Sequence, residues 1–236
     1  MTESDRPAGH HQGLRLSILR ITVFVLALSA QSVLATTEED TPDITWSPCG
    51  RYGAFLRDST NIATFFAMES SDLLSQQIWL INRESDEEWL LVEDGVPQSS
   101  SGSLDIENLI QLIDERSLTF SPDGNRLYFL AQAWATSAAL HVVDIESRTR
   151  SFLLPANRLV AVIPSGNYAD HLVVQQHRYF LGGGSYDWYW LFTPEGREVG
   201  PVASSHNDLA MFLNAHAGPK DPDTPHKPQK EPPYED

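Results

Sequence analysis

The chain has 236 residues, 41% of them hydrophobic, which leaves room for one sizeable domain or two small ones and argues against disorder as its global state. Its 32 acidic residues against 16 basic ones give a net charge of -16, a surface that repels nucleic acid and anionic lipid while leaving a cation, a basic protein or a neutral ligand as partners. The single cysteine, Cys49, excludes an internal disulfide.

In chain order, a polar stretch from Met1 to Gly13 precedes Arg15, Arg20 and the apolar run Ile21 to Ala30; Val33-Leu34-Ala35 then places small or aliphatic residues where a signal peptidase inspects the chain. Residues 1–35 are therefore expected to be a secretory signal cleaved after Ala35, because the apolar run is well short of the roughly 20 residues that span a bilayer. The mature protein is then periplasmic or secreted and has no membrane span. ATP and reduced nicotinamides are not available there, and no Gly-rich phosphate loop follows a strand, so no cofactor is expected. Residues 36–43 form an acidic linker, and a folded domain is expected over 44–215.

That domain is built on a repeated turn. In Leu118 to Leu130, Pro122 presets φ for the first turn position, while Asp123-Gly124 supplies a capped bend from which the second strand leaves antiparallel. Ile44 to Leu56 matches it at Ser, Pro, Gly, Phe and Leu, and Ile163 to Tyr168 is a looser copy. Cys49 takes the Asp slot of the first turn, which makes it a turn variant rather than a nucleophile.

Each turn is followed by further short strands. The first set adds Ile78 to Ile81 and Glu88 to Val92 after a polar connection that carries Phe65-Phe66-Ala67-Met68. An insert follows, with a Ser/Gly loop in its first half and Ile106, Leu109, Ile110 and Ile113 at helical spacing in its second; a short amphipathic helix is expected over 104–114. The second set runs Leu118 to Phe120, Arg126 to Ala131, Leu140 to Val143 and Ser151 to Leu154. The third runs Leu159 to Ile163, His171 to Phe180, Trp188 to Phe192 and Arg197 to Val202. In this register Trp79, His141 and Trp190 share one slot, and Glu84, Glu146 and Glu195 another. Residues 208–213 suit a closing strand or a final helix, and 216–236 form a Pro-rich, charged, disordered tail.

The run Phe120 to Gly124 with Arg126 to Phe129 and Leu140 to Asp144 resembles the WD40-like repeat (PD40) of TolB-type β-propellers. The resemblance implies an all-β fold, a small or incomplete β-propeller of three to four four-stranded antiparallel blades with one short helical insert. It also implies a periplasmic setting shared with many members. Three blades fall short of the usual closed ring, so their end faces would need cover, from a fourth blade built by the insert and 208–213, from a partner, or from a homo-oligomer. TolB-type propellers are protein-interaction platforms of the cell envelope, and similar blades also stand beside peptidase domains and in glycan-processing enzymes; fold alone does not choose among these.

The stretch Gly182-Gly183-Gly184-Ser185-Tyr186-Asp187-Trp188-Tyr189-Trp190 is the most unusual in the chain. Consecutive glycines mark a tight bend or a close approach to the backbone. Gly182, Gly183, Gly184, Tyr186, Asp187, Trp188 and Trp190 are the candidate ligand-binding residues, with Trp134 on the equivalent connection of the second blade as a candidate neighbour. Two readings of the aromatics stay open: a stacking surface for a sugar ring or peptide, or Trp188 and Trp190 pointing into the core between blades with Tyr189 on the opposite face. His171 and His177 are too far apart along one strand for a single metal ion, and His141 suits a packed core position, so no metal site is assigned. No Gly-x-Ser-x-Gly or His-Glu-x-x-His pattern occurs, and no catalytic residue is assigned. The expected function is a non-enzymatic module of the bacterial cell envelope that binds a protein or a cell-envelope glycan or peptide. The alternative is an envelope hydrolase or lyase acting on a glycan or peptide in the propeller funnel.

Overall fold

The computed structural model describes residues 42–62, 74–95 and 105–216, all within one compact unit, Asp40–Asp236. The signal segment, most of the linker, Phe65 to Met68, the Ser/Gly loop and the tail from residue 217 lie outside the described residues.

The described chain forms three four-stranded antiparallel sheets, each a meander in sequence order. The first blade comprises β1 (Thr45–Trp46), β2 (Tyr52–Ile62), β3 (Leu74–Asn82) and β4 (Glu88–Val92). The second comprises β5 (Thr119–Phe120), β6 (Arg126–Gln132), β7 (Ala138–Asp144) and β8 (Arg150–Ala156). The third comprises β9 (Arg158–Val162), β10 (Leu172–Tyr179), β11 (Ser185–Phe192) and β12 (Glu198–Ala203), and α1 (His206–His216) follows it. Over the described residues the fold is a partial β-propeller of three blades.

The repeated turn has the same hydrogen bonds in the first two blades. Gly50 N–H donates to Ser47 O at 2.8 Å and Gly124 N–H to Ser121 O at 2.9 Å. The seryl Oγ accepts from the amide five residues on, Tyr52 in one blade and Arg126 in the other, each at 3.0 Å. Cys49 stands where Asp123 stands, its Sγ 3.5 Å from Ser47 Oγ, as the carboxylate of Asp123 meets Ser121 Oγ. In the third blade a single 3-10 turn, Gly166–Tyr168, replaces the tight bend.

A second periodicity confirms the repeat. The ladder between third and fourth strands shifts register at the same place in every blade, between Ile78 and Trp79, Leu140 and His141, and Tyr189 and Trp190. Strand alternation puts residues flanking the slot on the opposite face. Ile78 and Leu80 pack toward the second blade, and Leu140 toward the third. The slot residue itself points back toward the preceding blade: His141 stacks on Phe129 at 5.1 Å, and Trp190 packs against the second blade.

The two outer faces are closed by different means. Behind the third blade, Ile163, Val173, Tyr189, Leu191 and Ala203 are covered by Leu209, Phe212 and Leu213 of α1. The segment 208–213 is thus a final helix rather than a strand. On the far face of the first blade the slot holds a half-buried Trp79, and arginines lie over the rings: Arg57 is 4.5 Å from the Trp79 centroid and Arg83 is 4.7 Å from that of Trp46.

The insert departs from expectation. Instead of an amphipathic helix over 104–114, it contains a 3-10 turn at Ile106–Asn108, and the chain then runs extended between the first two blades. Backbone pairing explains why. Ile110 and Gly95 exchange both bonds, at 2.7 and 3.0 Å, while Asp114 N–H donates to Leu130 O and Gln132 N–H to Leu112 O. Leu109, Ile110 and Ile113 are buried, and Ile110 and Ile113 pack with side chains of both the first and the second blade, so their spacing satisfies a wedge rather than a helix face. No fourth sheet forms among the described residues.

Candidate functional site

The glycine-rich stretch closes the hairpin between β10 and β11. The turn is tighter than the sequence suggested: Phe180 N–H donates to Gly184 O and Gly183 N–H to Phe180 O, both at 3.1 Å, and β11 begins at Ser185. Gly183 and Gly184 have φ of +95° and +85°, which a side chain would strain. Arg178 pairs with Tyr186 and His177 with Asp187 across the ladder, where His177 Nδ1 lies 2.8 Å from Asp187 Oδ1.

The aromatics of this hairpin divide. Phe180, Tyr186 and Trp188 form a continuous ladder, with centroid spacings of 4.5 and 4.8 Å. Tyr186 and Trp188 are half-buried against the second blade, and Tyr189 is buried on the opposite face under α1. Trp190 is 8% exposed in the core between blades, with the Arg178 guanidinium 3.4 Å from its ring centroid. It belongs to the core reading, and its ring is not open for stacking. Arg178 also donates to Glu198 Oε2 at 2.7 Å, and Gln176 Nε2 donates to Pro155 O at 2.6 Å, which ties the base of the hairpin to the second blade.

Sequence reasoning missed the tip itself. Tyr179 is 67% exposed, Phe180 52%, and Leu181 is fully exposed. The available signal was a run of three large apolar residues abutting three glycines, at the point where β10 ends.

Trp134 does not join this surface. Its ring packs edge-on against Phe152 at 6.2 Å, and it lines a cleft of about 460 Å³ with Leu112, Asp114, Arg116, Gln132 and Asn157. A second cavity of about 430 Å³ shares Asp114, Arg116, Leu130 and Asn157 and continues toward Arg158, Val160 and Gln175. Asn157 fixes the seam between blades: Nδ2 donates to Thr136 O at 2.6 Å, and Oδ1 accepts from His177 N at 2.7 Å.

Elsewhere, His141 is completely buried, as a core histidine should be. Burial, reinforced by the nearby Arg150 charge, lowers its pKa to about 3. Cys49 is exposed; the hydrogen bond from Ser47 leads the effects that lower its pKa. Glu84, Glu146 and Glu195 are exposed at successive turns between third and fourth strands and are not brought together. No cluster of three potential metal ligands occurs among the described residues, and none of the described helices is long and apolar enough to cross a membrane.

No family model matches the sequence, and no curated protein matches it. Solved structures do resemble the chain in fold. A protein of Agrobacterium tumefaciens assigned as TolB is 15% identical, covering 72% of this chain and 54% of its own, with a TM-score of 0.38. The β-propeller domain of the Trilobed protease from Pyrococcus furiosus, described as having an open velcro topology, is 13% identical over 69% of this chain and 43% of its own, with a TM-score of 0.41. An acylaminoacyl peptidase from Pyrococcus horikoshii is 14% identical over 66% of this chain and 24% of its own, with a TM-score of 0.41. The chain spans at most about half the length of these structures. They include both a TolB and peptidases, so the likeness is one of fold; the propeller assignment rests on the three sheets of this chain.

Proposed function

We propose that the protein is exported, loses residues 1–35, and serves in the cell envelope as a non-enzymatic protein-binding module whose contact surface is the tip of the β10–β11 hairpin. The observation that carries this reading is the exposure of Tyr179, Phe180 and Leu181 together on a hairpin whose base is anchored. Large apolar side chains on a fixed backbone lose little entropy when they dock. Burying one such side chain contributes roughly 1.5–3 kcal/mol, enough for two or three to dominate an interface. A protruding apolar tip suits a protein groove better than a sugar, which would want a flat, open aromatic face; Tyr186 packs behind Phe180, and Trp188 behind Tyr186.

Export is tested by cell fractionation and by sequencing the mature N-terminus, expected to begin at Thr36. Binding is tested by cross-linking the purified protein in envelope extract and comparing wild type with Phe180→Ser and Leu181→Ser. One protein should be captured by wild type and lost in both variants at unchanged melting temperature. Equal capture by the variants would overturn the hairpin reading, and turnover of cell-wall fragments by the purified protein would overturn the non-enzymatic one.

A further inference from the structure

The two adjoining cavities at the seam between the second and third blades combine features that the hairpin does not. The inner one lies between β5 and β9, both edge strands of their sheets, and is lined by Thr119, Arg158, Leu159 and Val160. Two arginines line it, Arg116 with a largely exposed side chain and Arg158, beside the single lining carboxylate, Asp114. Asp114 is already committed: its Oδ1 accepts from Arg116 N at 3.1 Å, capping the 3-10 turn Glu115–Ser117, and lies 3.4 Å from Arg116 Nε. That single contact leaves both terminal nitrogens of Arg116 available, and Arg158 forms no ion pair or side-chain hydrogen bond among the described residues. Ser117, by contrast, is fully used, donating to Asp114 O and accepting from Leu130 N.

Two arginines share this concave site in a chain of net charge -16, Arg116 paired with Asp114, and Arg158 with no ion pair among the described residues. The acidic surroundings repel a polyanion, but a lone carboxylate entering this cavity can pair with Arg158 and with the terminal nitrogens of Arg116, since a guanidinium fork matches a carboxylate. The outer cavity then supplies room for a body attached to that carboxylate: Leu112, Ile113, Leu130 and Trp134 line it together with polar groups such as Gln132 and Asn157. A ligand with a charged end and an extended, partly apolar body fits both.

We propose that this cleft binds the C-terminal carboxylate of an extended peptide, with Arg158 and Arg116 holding the carboxylate and Trp134 packing on the residues behind it. The site is separate from the hairpin tip, and either could fail without the other. Calorimetric titration of the full chain with N-acetylated pentapeptides Ac-Gly-Ser-Ala-Ala-X, with every natural residue at X, as free acids and as amides, tests it. At least one free acid should bind saturably, with its amide weaker by about tenfold or more, as expected for loss of a charge-assisted contact. Arg158→Gln and Arg116→Gln should each weaken the free acid by a similar factor without changing the weak amide, and Trp134→Ala should weaken both forms. Succinate distinguishes the sources of the carboxylate: if it competes as well as the best peptide, the ligand is a free acid and the peptide assignment is overturned. The proposal also fails if no free acid binds at millimolar concentration, if acids and amides bind alike, or if Arg158→Gln leaves affinity unchanged while the melting temperature shows a folded protein.

Discussion

Lowering the pH from 7 to 5 is expected to destabilise the domain by about 2 kcal/mol through His141 alone. The ring is fully buried, stacked on Phe129 and edge-on to Phe152 at 5.9 Å. Its Nδ1 lies 3.2 Å from Arg150 Nη1, which can only donate, so Nδ1 accepts and the proton sits on Nε2, where it has no partner. Charging the ring would bury a cation beside Arg150. Burial first, and Arg150 second, therefore hold the folded pKa at about 3, against 6.5 for an unhindered histidine. The unfolded chain takes up this proton and the folded one does not, so the contribution is complete above pH 6.5 and is lost as the pH falls from 6.5 toward 3. The slope approaches about 1.4 kcal/mol per pH unit, and most of it has developed by pH 5. With a urea m value of about 2 kcal/mol/M, the midpoint should drop by about 1 M. Other groups titrate over the same range, so the decisive quantity is the difference between wild type and His141→Phe, which keeps the stacking and removes the titration. Urea unfolding curves at pH 7 and pH 5 should converge or cross between the two proteins. Parallel behaviour within about 0.3 kcal/mol would refute the reasoning, because a buried neutral histidine cannot be indifferent to pH.

Asp94 accepts side-chain hydrogen bonds from Ser59 at 2.9 Å, Asn61 at 2.9 Å and Gln77 at 2.7 Å, which clamp the end of β2 to β3 and the start of the insert. Asp94→Ala should cost about 1–3 kcal/mol in denaturant unfolding because it leaves the buried Ser59 hydroxyl without its acceptor and releases the Asn61 and Gln77 amides. Burial opposes its ionisation, but the three donated bonds prevail and lower its pKa, so this contribution is present above about pH 4 and lost below it as the folded carboxylate protonates. Gly53→Ala should destabilise by about 1–3 kcal/mol, since a Cβ there would sit 2.5 Å from Ile44 Cγ2 and 3.0 Å from both Ile81 Cγ2 and Trp46 Cζ3; Trp46→Ala in the same chain should recover part of the loss in a thermal melt. Leu209→Ala should weaken the seal of α1 on the third blade by about 2–4 kcal/mol and increase binding of a hydrophobic dye, whereas Met211→Ala, on the exposed side of the helix, should change neither.

What the sequence determined by itself was local. Pro48 and Pro122 with Gly50 and Gly124 set the turns without help from distant residues, and the repeated spacing of strands after them, which aligns Trp79 with His141 and Trp190, gave the blades and their register. His141 could be read as a core histidine because its slot holds tryptophan in the other two blades, and that comparison needs no coordinates. Spacing failed where two tertiary surfaces meet: Ile106, Leu109, Ile110 and Ile113 repeat as a helix would, but Gly95 O takes the Ile110 amide, Gln76 Oε1 that of Ile113 and Leu130 O that of Asp114, which holds the chain out of a helix after the 3-10 turn. Apolarity likewise could not say that Trp190 is buried while Leu181 is bare, since the difference depends on where β10 ends and on Arg178 lying over one ring. The cleft was illegible in principle. Asp114, Arg116, Trp134, Asn157 and Arg158 come from the insert, a connection of the second blade and the start of the third, and only the packing of blade on blade places them along two adjoining cavities.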